Sequence, residues 1–326
     1  MNSKLQKNTK SDTKSSVKHG DKDYQPLKSV LTKQLHVLKT KVELLTQLIL
    51  AILAVRSVNF SQLLDYFNDN PKIDVDKLQQ SFDNFVFEKN SLAQAVVELM
   101  PLPDGPWQLT MDRSIWIFGE SKPNILVLGI AHNGISIPLF WEVVDRDGHS
   151  KTAERINLMQ LFIDNFGVEK IGILLADREF AGSDWFFWLQ QKKIPFYQRI
   201  KSNTLVPDLQ NHLTRLDAMF CLLKPGESCF LEGQRKVWGN LVHISAQCLK
   251  ENDLLIIASS DAEQKQALDT FKRQQLYVKT LMEHLRKLGF NFDNAIINNQ
   301  LELFKMIALL ALAFAWDVQS NAENNA

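Results

Sequence analysis

IGILLADREF, residues 171–180, is the stretch on which the reading of the fold turns. Its run from Ile171 to Ala176 is apolar without alternation, the pattern of a strand buried on both faces and therefore of a sheet covered by helices. The flanks agree with that arrangement. Upstream, Lys151–Phe166 repeats its apolar residues at helical spacing, and downstream Ser183–Lys192 does the same. Asp177 closes the apolar run, so a charged side chain is expected at the end of a buried strand.

Further towards the N-terminus, short strand-like runs follow one another: Trp107–Met111, Ile115–Phe118, Ile125–His132 and Ile135–Val144, with Asn133 and Gly134 supplying a two-residue hairpin turn. Three antiparallel strands are the simplest reading. Strands in a row and then a strand between helices predict an α/β protein with a mixed sheet that opens as a meander. Residues 195–260 return to strand-like texture, with Gly226, Gly233 and Gly239 at turns, and read as a β-rich insertion. Ala262–Leu288 and Gln300–Trp316 have helical spacing again. Before the turn-rich boundary Pro101, Pro103, Asp104, Gly105 and Pro106, the positions Val37, Leu38, Val42, Leu45, Leu48, Ile49 and Ile52 predict helices, with Pro71 as a break. The expected organisation is a flexible tail at 1–26, a helical N-terminal region at 27–100 that is a candidate DNA-binding region, a core at 101–194, the β-rich insertion at 195–260, a helical completion of the core at 261–317 and a tail at 318–326.

Bulk properties narrow the class. With 45% hydrophobic residues among 326, the chain can bury a sizeable core. Thirty-seven basic residues balance thirty-seven acidic ones, so any nucleic-acid surface has to be a local stripe. Three cysteines, Cys221, Cys229 and Cys248, include no Cys-x-x-Cys pair, which argues against a disulfide framework and against a zinc site. The lysine-rich start lacks the apolar run of a signal peptide. The most apolar stretches, Leu44–Val55 and Met306–Trp316, fall short of the roughly 20 residues that span a bilayer and are expected to be buried helices. A cytoplasmic location without membrane contact is expected.

Two aspartates sit at ends of apolar strands, Asp112 in WQLTMDRSIW and Asp177 in ILLADREF. A carboxylate there has to be solvated, paired or bound to a cation. Hard ions such as Mg²⁺ and Mn²⁺ take carboxylate oxygens and retain waters for a substrate phosphate, and two such ions activate the attacking oxygen and stabilise the leaving one in a phosphoryl displacement. Turn capping, or pairing with Arg113 and Arg178, accounts for the same two residues on spacing alone.

The segments LTMDRSIWIFG, NILVLGIAHNGISIPLFWEVVDRDGHSKTAERINLMQLFI, ILLADREFAGSDWFFWLQQKKIPFYQRIKSN and LGFNFDNAII resemble the DDE-type transposases of bacterial cut-and-paste insertion sequences, in the group with a β insertion between the second Asp and the Glu. The resemblance runs from about Lys41 to Trp316. It implies a ribonuclease-H-like core, a homodimer on double-stranded DNA that includes inverted-repeat ends and target, strand transfer assisted by Mg²⁺ or Mn²⁺, and a bacterial, nucleoid-associated location. Carried over by position, Asp112 and Asp177 are similar to the first two catalytic aspartates and to metal ligands. Arg178 belongs to the DREF block, and Arg199, Lys201 and Arg286 match basic positions expected near DNA phosphates. Glu179 reads as a salt-bridge partner, and Trp238 as either a buried aromatic or a base-stacking one.

The third carboxylate departs from the family pattern. Its signature, Tyr-x-x-Arg-x-x-x-Glu-x-x-x-x-x-x-Lys, falls on DTFKRQQLYVKTLMEHLRKLGF. Alignment on Gly289-Phe290 puts Arg286 at the Lys position and Lys279 at the Glu position, whereas alignment on Phe271 puts Val278 there. Glu283 is the nearest glutamate, one turn past Lys279 on a continuous helix, a displacement of about 5.4 Å along the axis. A lysine at the ligand position would compete with cations for the two aspartates. The family also usually continues beyond the helix expected to end at Trp316. Three readings stand: an active transposase with Glu283 as third acid, a degenerate or truncated DNA-binding relic without catalysis, and a ribonuclease-H-type nuclease.

Overall fold

The computed structural model describes residues 20–36, 38–67, 74–115, 123–144, 150–251, 253–277, 279–280, 283, 290, 297, 299 and 300–324. The N-terminal helices are α1 (Gly20–Gln34), α2 (Lys39–Val55), the short α3 (Phe60–Leu63), α4 (Val75–Asp83) and α5 (Lys89–Leu99). α1 starts at Gly20, inside the segment expected to be tail, because Leu27, Leu31 and Leu35 recur at helical spacing and are buried. α2 buries Val42, Leu45, Leu48, Ile49 and Ile52, the positions whose spacing predicts it.

β1 (Trp107–Ile115), β2 (Asn124–His132) and β3 (Ile135–Val144) form the antiparallel meander. β1 continues to Ile115 as one strand where two were expected; the rest of the second expected strand lies outside the described residues. Asn133 and Gly134 have φ of 48° and 83°, the left-handed pair of a type I′ hairpin, whose twist matches that of the flanking strands. Gly129 sits where the β2–β3 register shifts. A Cβ there would come within 2.4 Å of the Ser136 Oγ and 2.7 Å of the Ile137 carbonyl oxygen, so only glycine lets the strands approach.

α6 (Thr152–Phe166) leads to β4 (Ile171–Ala176), which lies parallel to β1, and α7 (Ser183–Gln191) leads to β5 (Phe196–Arg199), parallel to β4. β4 is buried on both faces over Leu174–Ala176, while Gly172 near its start is exposed and Ile173 half-buried, so the two-sided burial expected of the whole run holds for its second half. Leu174 and Ala176 join the main core, while Leu175 packs with Tyr197, Leu255, Ile257, Leu268 and Phe271 on the other side.

The β-rich stretch mostly extends this same sheet. β6 (Leu205–Pro207) and β7 (Leu213–Arg215) pair only with each other and precede the short α8 (Leu216–Met219). β8 (Ser228–Phe230) and β9 (Arg235–Val237) both pair with β10 (Asn240–Lys250), which pairs with β11 (Asp253–Ser259). β11 in turn pairs antiparallel with β5, so the order across the sheet, with the short β12 (Lys279–Thr280) at one edge, is β12-β3-β2-β1-β4-β5-β11-β10-β8. The fold is thus mixed α/β, with a central mixed sheet and a helical N-terminal region.

α9 (Gln264–Tyr277) covers the second face of the sheet. The helix expected over Ala262–Leu288 stops at Tyr277, and Lys279–Thr280 forms β12, parallel to the start of β3. β3 has an open edge there, and Thr280 is β-branched, so edge pairing outcompetes helix continuation. The last helix, α10 (Gln300–Asn324), runs past Trp316 where it was expected to end; the following residues contain neither Gly nor Pro. Its residues from Met306 to Trp316 are all buried, and Phe304 stacks on Trp141 of β3 with ring centroids 4.9 Å apart. Lys305 is buried on the same helix and donates to the Asp83 carbonyl at the end of α4, where the helix dipole favours a cation. One contiguous hydrophobic cluster therefore joins the N-terminal helices, the sheet and α10.

Candidate functional site

The site starts from register. Met111 of β1 is level with Ala176, the last residue of β4, and an aspartate follows each; Asp177 lies just past the end of β4, whereas Asp112, expected at a strand end, stands inside β1, which runs on to Ile115 paired with β2. Beyond Ala176 the chain turns through Arg178–Phe180, a single 3₁₀ turn closed by the Phe180 amide donating to the Asp177 carbonyl at 3.0 Å.

Like charge gathers around Asp112. Its carboxyl is pushed up to about 6, first because the surrounding protein strips water from the charged form, then because Glu179, Asp177 and Glu283 add negative charge nearby. The Arg113 amide, donating to Asp112 Oδ1 at 2.7 Å, offsets part of this. The side chain nevertheless stands at an exposed position, so water screens the repulsion and dampens its cost to stability.

Asp177 is divided between two environments. Its side chain is 47% exposed overall, yet Oδ1 is buried without a hydrogen-bond partner. Arg199 Nη1 at the end of β5 lies 3.8 Å from that oxygen, within ion-pair range and beyond hydrogen-bond length. Glu179 is held by Arg113 through two contacts, Nε to Oε1 at 3.2 Å and Nη2 to Oε2 at 2.9 Å, as its reading as a salt-bridge partner anticipates.

Beneath Asp177 lies a buried polar frame that the sequence reading did not single out. Gln198, fully buried on β5, donates from Nε2 to the Asp177 carbonyl at 2.6 Å and accepts from Trp185 Nε1 at 3.3 Å. Arg155, 7% exposed on α6, donates to the carbonyl oxygens of Phe180 and Ser150 and lies over the rings of Phe180 and Trp185. Burial lowers the Arg155 pKa, with Glu154 and Glu179 opposing the shift. The signal was available in principle: a lone Gln in the apolar FYQRI and an Arg among the apolar Ile156, Leu158 and Met159.

The remaining candidates divide. Glu283 is exposed and lies near enough to Asp112 to raise its pKa. Lys279 differs from expectation. Its backbone pairs with Ile135 at the start of β3, whereas Asp112 is level, through Val127, with Trp141 near the strand's end. Six residues of strand are roughly 20 Å, so the helical register that put Lys279 at the ligand position does not hold. Arg178 and Lys201 are exposed on the segments following β4 and β5. Arg286 lies outside the described residues. Trp238 is 39% exposed, adopts φ of 47° and tilts against Phe186 at 5.7 Å.

Two aspartates on neighbouring strand segments, one with an inward oxygen lacking a donor, are a partial donor set for a hard divalent cation. Among the described residues, however, no group of three His, Cys, Asp or Glu side chains is close enough to hold a metal ion, so the donor set fits through two residues and is not closed by a third. Also among the described residues, no helix is long and apolar enough to cross a membrane.

No family model matches this chain, and no curated protein matches it. Among solved structures, it is similar to a chain of the cryo-EM structure of a piggyBac transposase synaptic complex with hairpin DNA, with a TM-score of 0.51 and 10% sequence identity. The match covers 87% of this chain and 66% of that one, just under two thirds of its length. At that identity the likeness defines the fold: the chain has a transposase-like fold.

Proposed function

We propose that this chain is a DNA transposase of the bacterial insertion-sequence type, with Asp112 and Asp177 as ligands of Mg²⁺ or Mn²⁺. The observation that carries the reading is the register of β1 and β4, which sets Asp112 within β1 beside the point where β4 ends at Asp177, with Asp177 Oδ1 turned inward and lacking a donor. The strand order β3-β2-β1-β4-β5, three antiparallel and two parallel, supports a ribonuclease-H-like core. The cation supplies charge neutralisation at a phosphate and a more acidic bound water.

The chain's own residues have separate tasks. Asp112 and Asp177 hold the cation, and Glu283 is the third acid, supported by its electrostatic reach to Asp112. Arg113 keeps the Glu179 carboxylate neutralised, which limits repulsion in the cluster. Gln198 and Arg155 hold the turn that presents Asp177. Arg178, Arg199, Lys201 and Arg286 take up phosphates of double-stranded DNA, comprising inverted-repeat ends and target, on a homodimer in the bacterial cytoplasm at the nucleoid.

The test is Mg²⁺- or Mn²⁺-dependent cleavage of a duplex bearing the element's own ends, comparing the unmodified chain with Asp112→Ala, Asp177→Ala and Glu283→Ala. Cleavage that each substitution abolishes is the expected result. The lack, among the described residues, of a third side chain at ligand spacing favours a second reading, a relic that binds DNA ends without cutting them. Specific end binding by the unmodified chain without cleavage in either cation selects that reading. Cleavage of the RNA strand of a hybrid, indifferent to end sequence, selects a nuclease instead.

A further inference from the structure

Gln198 of β5 is level with Ala176 of β4, so the next residues, Arg199 and Asp177, stand side by side where the two strands end. Three features of this pair belong together. The Arg199 side chain is only 17% exposed, which restricts how far its charge is hydrated. Its Nη1 approaches Asp177 Oδ1 to 3.8 Å without bonding it. Oδ1 itself is buried and accepts no hydrogen bond. A buried carboxylate oxygen is costly unless a charge or a donor answers it, and here the guanidinium answers by proximity alone.

We propose that Arg199 is the built-in counter-ion of Asp177, competing with a divalent cation for Oδ1 and turning to a DNA phosphate once the cation has displaced it. The inference rests on the reading of Asp177 as a cation ligand. The competition follows from charge. A divalent ion at Oδ1 gains twice the attraction that a guanidinium does and is repelled by the guanidinium if both remain at that oxygen. The planar, five-donor head of Arg199 is suited to a phosphate, and Lys201 is exposed two residues further along the same segment. Cation and DNA thus cooperate, because the ion frees a phosphate ligand that Asp177 otherwise holds.

The experiment measures Mn²⁺ bound to the full chain by electron paramagnetic resonance, and duplex affinity as a function of salt, for the unmodified chain, Arg199→Gln, Arg199→Lys and Asp177→Asn. Arg199→Gln is expected to bind Mn²⁺ roughly tenfold more tightly. The same variant should bind DNA more weakly, with a salt slope smaller by about one. Arg199→Lys, which keeps the charge, should stay within about twofold of the unmodified chain for Mn²⁺. A purely structural role would leave Mn²⁺ affinity unchanged or lower it, and either result for a folded Arg199→Gln overturns the proposal. Should that variant not fold, the Arg199 Nε–H resonance of the unmodified chain decides: it shifts on Mg²⁺ addition if the contact is exchanged, and a resonance that stays put refutes the idea. Failure of the underlying reading looks different, since Mn²⁺ binding would then be unaffected by Asp177→Asn.

Discussion

Replacing Asp112 by Asn should stabilise the cation-free protein at neutral pH and abolish most of its response to Mg²⁺. In the folded chain the Asp112 carboxyl is raised from 3.8 to about 6, by dehydration first and then by Glu179, Asp177 and Glu283. The sign follows from linkage: a folded state that holds this proton more tightly than the unfolded chain loses stability as pH rises from about 4 to about 6, and carries the whole penalty above that. At 1.36 kcal/mol per pH unit the rise corresponds to about 3 kcal/mol, and the exposure of the side chain reduces this to roughly 1 kcal/mol. Asn retains an oxygen for the Arg113 amide, so little else is lost. Urea unfolding across the pH range should therefore give a variant roughly 1 kcal/mol more stable than the parent at pH 7.5, the gap closing near pH 4. Adding about 10 mM Mg²⁺ to the parent, for an affinity of order 1 mM, should return about 1.4 kcal/mol and raise its melting temperature by a few degrees. The variant should gain under one degree, by the same relation. A variant less stable than its parent at pH 7.5, or a gap independent of pH, would refute the account of Asp112 as a strained member of a carboxylate cluster.

Other outcomes follow from the frame around Asp177. Gln198→Leu strands the Trp185 indole N–H and takes one of its two donors from the Asp177 carbonyl, which keeps the Phe180 amide, and should cost roughly 1–3 kcal/mol by chemical denaturation. Arg155→Met leaves the carbonyl oxygens of Phe180 and Ser150 unanswered and should cost about 3 kcal/mol; Lys, unable to span both, should recover less than half of that, as read by the same titration. Gly129→Ala has to displace the Ser136 hydroxyl and the Ile137 carbonyl, and a loss of at least about 2 kcal/mol in thermal unfolding is expected. Lys279→Glu should leave DNA cleavage as it is in the parent, since its backbone pairs at the far end of β3, whereas Glu283→Gln should reduce cleavage at least about 100-fold; a gain of activity in Lys279→Glu would restore the helical alignment.

The patterns confined to one element were legible in the amino-acid order. The apolar run of β4, the Asn133-Gly134 turn, the α2 stripe and the position of Asp177 at a strand end all follow from local periodicity and from the cost of burying charge, which act within a few residues, whereas Asp112 falls inside a strand that pairing with β2 carries on to Ile115. What stands beside an element is set by distant chain, and there the reading gave out. Whether Lys279–Thr280 continues a helix or pairs with β3 depends on an edge contributed by residues 135–136, and that choice moves Lys279 away from the acidic cluster while leaving Glu283 in reach of Asp112. The β-rich stretch reads as an insertion by texture, but its strands extend the central sheet because β5 offers a free edge to β11. The roles of Gln198 and Arg155 are likewise invisible in isolation, since a buried polar side chain acquires meaning only from the carbonyl it satisfies. Local preference selects the elements of this protein, and long-range pairing, which alone can satisfy backbone groups and buried charges across the sheet, decides which side chains meet around Asp112 and Asp177.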